Sequence, residues 1–144
     1  MVGYLAERIE RKPMSEYQTI FTNVVTLAQA AVTTSIVVGA LPPLDGISMA
    51  LSTGATNETM LDKGQLQQVS IVINAKSSNQ QNALEWLALI HEALTLTESY
   101  PSGTNWQIIN IESSELPTYI DREQNNQYLY GSAVRVYYYI KKGT

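Results

Sequence analysis

Between Gln68 and Ala75 the chain alternates, with Val69, Ile71, Ile73 and Ala75 on one side and Gln68, Ser70 and Asn74 on the other. A period of two predicts a half-buried β-strand. After the turn-prone run Lys76-Ser77-Ser78-Asn79 the period changes. Apolar residues then fall at Ala83, Leu84, Leu87, Ile90, Ala93 and Leu94, steps of three and four that predict an amphipathic helix from Gln80 to about Leu96. Ser78 or Asn79 is placed to cap it, because a short side-chain oxygen there accepts a bond from an orphaned N–H. A strand feeding a helix implies that the helix's apolar stripe lies on the strand's own sheet.

The flanking segments extend this unit. Val2, Leu5, Ala6 and Ile9 predict a short first helix ended by Pro13. Ile20 to Leu27 reads as either helix or strand, Leu27 to Ala31 leans helical, and β-branched Val32 to Val38 leans strand. Ile47 to Leu51 follows the Asp45-Gly46 turn as a strand, which pairs with Val32–Val38 in a predicted hairpin. Ser52 to Gly64 is Ser-, Thr-, Gly- and Asn-rich and is expected as a loop. Trp106 to Ile111 is a weakly alternating strand, Pro117 permits only an edge or the start of a short strand at Thr118–Ile120, and Asp121 to Gln127 is expected as a hairpin loop. The longest candidate strand closes the chain at Tyr128 to Lys141. Both of its faces are substantially apolar, which predicts cover on each, one by the first and central helices and the other by a neighbour. The expected architecture is one α+β domain over residues 1–144: a mixed or antiparallel sheet, one long amphipathic helix packed on it and a short N-terminal helix.

Composition narrows the chemistry. The chain has 144 residues, enough for one real core, and no cysteine, which removes disulfides, thiol catalysis and thiolate metal sites. Lack of disulfides suits an intracellular or virion setting. A net charge of −4 argues against tight, non-specific nucleic-acid binding, which needs phosphate-neutralising Lys and Arg; no sequence-specific nucleic-acid binding is expected. Tyr17 to Leu44 carries no charge, yet Gln18, Thr19, Asn23 and Gln29 interrupt it too often for a membrane span. Nine tyrosines stand against one phenylalanine, a balance suited to sheet faces and subunit contacts.

The search for reactive groups returns little. His91 has no second histidine at helical spacing and no accompanying nucleophile motif, so it is expected as an ordinary surface or boundary residue. Gly39, Gly46, Gly54 and Gly64 do not form a phosphate loop. Glu112, Glu115, Asp121 and Glu123 gather around the last hairpin; a paired-carboxylate hydrolase there is one alternative, a solvated acidic rim the plainer one. Tyr137, Tyr138 and Tyr139 have the type to stack bases, but packing or subunit contact fits the charge better. A sheet that binds a small molecule or peptide is a further alternative. No catalytic, cofactor or metal residue is expected.

Four strings carry a resemblance. Leu61-Asp62-Lys63-Gly64, Asn74-Ala75-Lys76-Ser77, Asn79-Gln80-Gln81-Asn82-Ala83 and the run from Asp121 to Ser132 (Asp-Arg-Glu-Gln-Asn-Asn-Gln-Tyr-Leu-Tyr-Gly-Ser) stand in the order found in the phage minor capsid protein family. That family occurs in tailed phages and prophages of Gram-positive bacteria, and the chain resembles it from roughly Leu41 to Ile140. The resemblance implies a tail-terminator-like neck protein. Such a subunit has an α+β fold, forms a six-membered ring that stops the tail tube, and docks to the head–tail connector. It implies no catalysis, a place in the virion, and assembly in the host cytoplasm. On this reading Asp121, Arg122, Glu123, Tyr128, Tyr130 and Tyr138 are candidates for subunit or tube contact, with Ser52–Gly64 and Glu112–Gln127 as contact regions.

Overall fold

The computed structural model describes residues 16–52, 56–59 and 65–140. In chain order these form helix α1 (Glu16–Gln29), strands β1 (Ile36–Val38), β2 (Gly46–Leu51), β3 (Thr56–Thr59) and β4 (Gln65–Ser77), helix α2 (Gln80–Thr95), and strands β5 (Trp106–Glu123) and β6 (Gln127–Ile140). The strands make one mixed sheet in the order β1-β2-β4-β6-β5, with β3 also paired to β4. The fold is α+β. Two helices, rather than a single long one, pack on the sheet; the helix expected at Val2–Lys12 lies outside the described residues.

Strands β4 and β6 are the centre, paired without interruption from Gln65↔Ile140 to Ser77↔Tyr128. On one face Val69, Ile71, Ile73 and Ala75 of β4 join Tyr130, Val134, Val136 and Tyr138 of β6, and α2 lays Ala83, Leu87, Ile90 and Leu94 over them. Asn79 caps α2 by accepting the Gln81 N–H at 2.9 Å. Its own N–H donates to Ser77 Oγ, and that hydroxyl donates to Asp45. The strand-to-helix turn is therefore tied to the loop before β2.

The ambiguous segment after Glu16 is helical. Ile20, Phe21, Val24 and Ala28 are buried at helical spacing, so burial of a stripe overrides the β-branched propensity. Its polar residues turn inward on the helix itself: Thr22 Oγ1, Asn23 Nδ2 and Thr26 Oγ1 donate to the carbonyls of Gln18, Thr19 and Thr22. These bonds satisfy three of the uncharged segment's polar side chains within the helix itself. Among the described residues no helix is long and apolar enough to cross a membrane.

Four expectations are corrected. The hairpin predicted between Val32–Val38 and Ile47–Leu51 does not form, because β1 runs parallel to β2, with Ile36 opposite Ile47. A three-residue strand spans only about 10 Å, so the Gly39–Asp45 loop can cross back along it. Gly39 turns with φ +107°, and the Pro42 ring sits where a Cβ on Gly46 would lie. Within the expected 52–64 loop, Thr56–Thr59 is a strand against Gln65–Gln68. The segments expected around Pro117 are one strand of 18 residues. Pro117 is tolerated because β5 is the sheet margin, where a missing N–H breaks no ladder. The hairpin loop shrinks to Gln124–Asn126, with Asn126 at φ 63°.

Candidate assembly surface

The β5–β6 turn gathers four of the six residues singled out from sequence. Arg122 and Tyr128 are cross-strand partners, and the Arg122 guanidinium lies over the Tyr128 ring, 5.8 Å from its centroid. Arg122 Nη2 also donates to Asn126 Oδ1, and Asp121 Oδ1 accepts the Arg122 N–H at 2.7 Å. Glu123 pairs with Lys76 Nζ at 3.0 Å. Lys76 is buried on the side of the sheet away from the helices, so this pair pins the hairpin across β4. Asn125 Nδ2 reaches the Pro43 carbonyl. Asp45 sits beneath, bonded by Ser77 Oγ and the Ser78 N–H. Burial opposes ionisation of Asp45, but bonds from Gln127, Ser77 and Ser78 outweigh it and hold its carboxyl below the usual range.

The other two residues lie elsewhere. Tyr130 is buried, donates to Gln80 Oε1 at 2.9 Å, and meets Tyr119 edge to face at 5.6 Å. Tyr138 is near the opposite end of β6, 1 % exposed, with its hydroxyl on Gln67 Oε1. The Tyr137 hydroxyl and Arg135 both bond Glu112 on the sheet's open face. The sheet therefore carries its helices on one face; on the other, the Ile120 side chain of β5 lies over Gly131 of β6, and the rest is the face left for a neighbour.

Reactive geometry was sought beyond these. His91, expected at the surface or boundary, is instead buried on the sheet-facing side of α2, with Nδ1 2.7 Å from Ser113 Oγ. This is the spacing of a base and a hydroxyl, but Nε2 is buried with no partner, so no carboxylate orients the ring as a relay requires. Among the described residues no group of three or more His, Asp or Glu could hold a metal ion. A cleft of about 650 Å³ lies between α1 and the β1–β2 margin, lined by Phe21, Val25, Val38, Ala50 and Leu51 with Gln18, Thr22 and Thr26. It has no ionisable side chain among those residues.

Burial lowers the His91 pKa below 6.5, and the sign of its effect follows. Above pH 6.5 the ring is neutral in both states and contributes nothing. Below it the unfolded chain takes up a proton that the folded one resists, so stability falls as pH drops from 6.5 towards the lowered folded value. Chemical denaturation followed from pH 7.5 to pH 5 is expected to show this slope. His91→Gln is expected to flatten it; the same slope in that variant would assign the effect elsewhere. Asp45 acts only at more acid pH, below its ordinary 3.8.

Sequence reasoning missed the sheet's margins. Against the 14 residues of β6, β5 spends 18, and its register shifts at Ile108/Asn110, Ser113/Glu115, Glu115/Thr118 and Tyr119/Asp121. Ile109, Leu116 and Ile120 stand at these irregularities, all exposed. At the other margin Val37, Val38 and Leu44 are exposed as well. The available signal was Ile109 and Ile120 each breaking the alternation of their strand.

No family's sequence pattern matches the chain, and no curated protein does. The resemblance to phage minor capsid proteins therefore stands on the quoted strings. A solved structure does match. In fold, the chain is similar to a component of a virion. That component belongs to the virion of a native gene transfer agent particle; the alignment covers 82 % of this chain and 92 % of that one, with a TM-score of 0.61 at 15 % identity. At that identity the likeness is one of fold.

Proposed function

We propose that the protein is a structural component of a tailed-phage or prophage virion, acting at the neck as a tail terminator of the minor capsid family. A ring of its copies caps the tail tube and meets the head–tail connector, without catalysis or a cofactor. The observation that carries this reading is the fold shared with a virion chain over 92 % of that chain's length. One further feature supports it: the exposed apolar side chains of the described residues are concentrated at the sheet's margins, as an assembling subunit requires. The charged β5–β6 turn, with Asp121, Arg122, Glu123 and Tyr128, is the surface we assign to the tube or connector. The net charge of −4 suits a bore that passes DNA without gripping it.

Electron microscopy of particles from a phage lacking this protein tests the role. Overlong tail tubes, often without heads, are the expected result. Tails of normal length that fail to join heads would replace termination with a connector role, and normal infectious particles would refute both.

A further inference from the structure

The β5 and β1 margins of the sheet both resist strand pairing, yet both display aliphatic side chains. On the β5 side the first residues are already covered: Ser102 bridges Gln107, and Ile108 N–H donates to the Pro101 carbonyl. Beyond them four register shifts and the missing N–H of Pro117 break any regular ladder, devices that keep an edge from recruiting a strand. The same irregularities expose Ile109 (48 %) and Leu116 (68 %) along the margin, and Ile120 (54 %) beside them with its side chain laid over Gly131 on the open face.

The β1 side is guarded differently. Gly39 N–H bonds Met49 of β2, so by alternation the Ile36 N–H points away from the sheet. Gln29 Oε1 takes that N–H at 2.9 Å, while its Nε2 donates to the carbonyls of Val32 and Thr34. This margin exposes Val37, Val38 (60 %) and Leu44. With Tyr119, seven of the ten large apolar residues exposed among those described lie at the two margins, and only Leu84, Leu89 and Leu96 lie elsewhere.

We infer that the β5 margin of one copy packs by side chains, without strand addition, on the β1 margin of the next. The inference rests on the ring reading above and names its contact. Charge selects the occupant. A twofold pairing of β5 with itself about its middle would set Glu115 beside Glu115, with Glu112 near, and like charges across a contact are costly. The β1 margin lies in a segment, Tyr17 to Leu44, without a single charge, so it accepts the apolar row and leaves the acids at the rim. Two different margins in contact make a heterologous interface, the kind that closes into a ring.

Because the chain has no cysteine, disulfide trapping can test this on the full-length protein. Leu116→Cys and Val38→Cys are both exposed and leave the core untouched; thermal melts check that each variant folds. Oxidising a mixture of the two single variants is expected to give a cross-linked pair, the double variant a ladder of oligomers, and each single variant alone no cross-link. Leu116→Glu is expected to weaken self-association about tenfold or more with an unchanged melting temperature. A dimer from Leu116→Cys alone would overturn the inference in favour of a twofold contact. A ring seen by light scattering with no cross-link in the mixture would overturn it while leaving the ring reading intact. A monomer at every attainable concentration, with and without tail tubes, would sink both.

Discussion

Tyr138→Ala is expected to lower the free energy of unfolding by about 3–5 kcal/mol, the cost of deleting a large buried aromatic side chain. The side chain is 1 % exposed and lies among Ile108, Val136 and Ile140 on the helix-covered face. Deleting it removes both the transfer energy of the ring and its packing, and leaves a cavity in the strand that joins the two halves of the sheet. Tyr138→Phe keeps the ring and removes the hydroxyl that donates to Gln67 Oε1 at 2.7 Å, for which about 1 kcal/mol is expected. Urea unfolding of the two variants separates packing from polarity. An unchanged midpoint for Tyr138→Ala would return the residue to the role its place in a tyrosine run suggests, a contact with another subunit.

That contrast marks where sequence was informative. The strand at Gln68–Ala75, its turn and the helix from Gln80 were legible because one face of each is buried, and burial of one face writes a period into the sequence. The cap at Asn79 was legible for the same local reason. Residues 20–27 were ambiguous because Thr22, Asn23 and Thr26 look like strand or loop residues until their side chains fold back on helical carbonyls. Pairing was not legible. Nothing in Val32–Val38 or Ile47–Leu51 distinguishes parallel from antiparallel neighbours, and the hairpin expectation followed from nearness in sequence alone.

The candidate surface divides along the same line. Asp121, Arg122, Glu123 and Tyr128 were found together because a tight turn brings sequence neighbours together. Tyr130 and Tyr138 lie on the helix-covered side, and from Ser132 to Ile140 alternation makes even-numbered residues of β6 buried and odd-numbered ones half-buried. Sequence showed two apolar faces but could not say which one the helices take. The exposed row on β5 depends on how many residues β6 supplies opposite it, a property of the pair that neither strand holds alone.

Leu87→Ala should cost about 2–5 kcal/mol, a large part of the roughly 5–15 kcal/mol that holds a domain of this size. Leu87 is fully buried in the middle of α2, between the Ala83 and Ile90 contacts that seat the helix on the sheet. Leu84, on the same helix, is 42 % exposed, and Leu84→Ala is expected to stay within about 0.5 kcal/mol of the parent. The pair is informative because both are leucines in one helix, so propensity cancels and only burial differs. Equilibrium denaturation of the purified variants at equal concentration measures both. A cost at Leu84 equal to that at Leu87 would mean that the outer side of α2 is covered in solution. Dilution then distinguishes the cover: a cost that fades as the protein is diluted identifies another copy, which would move the subunit contact from the sheet's margins to this helix.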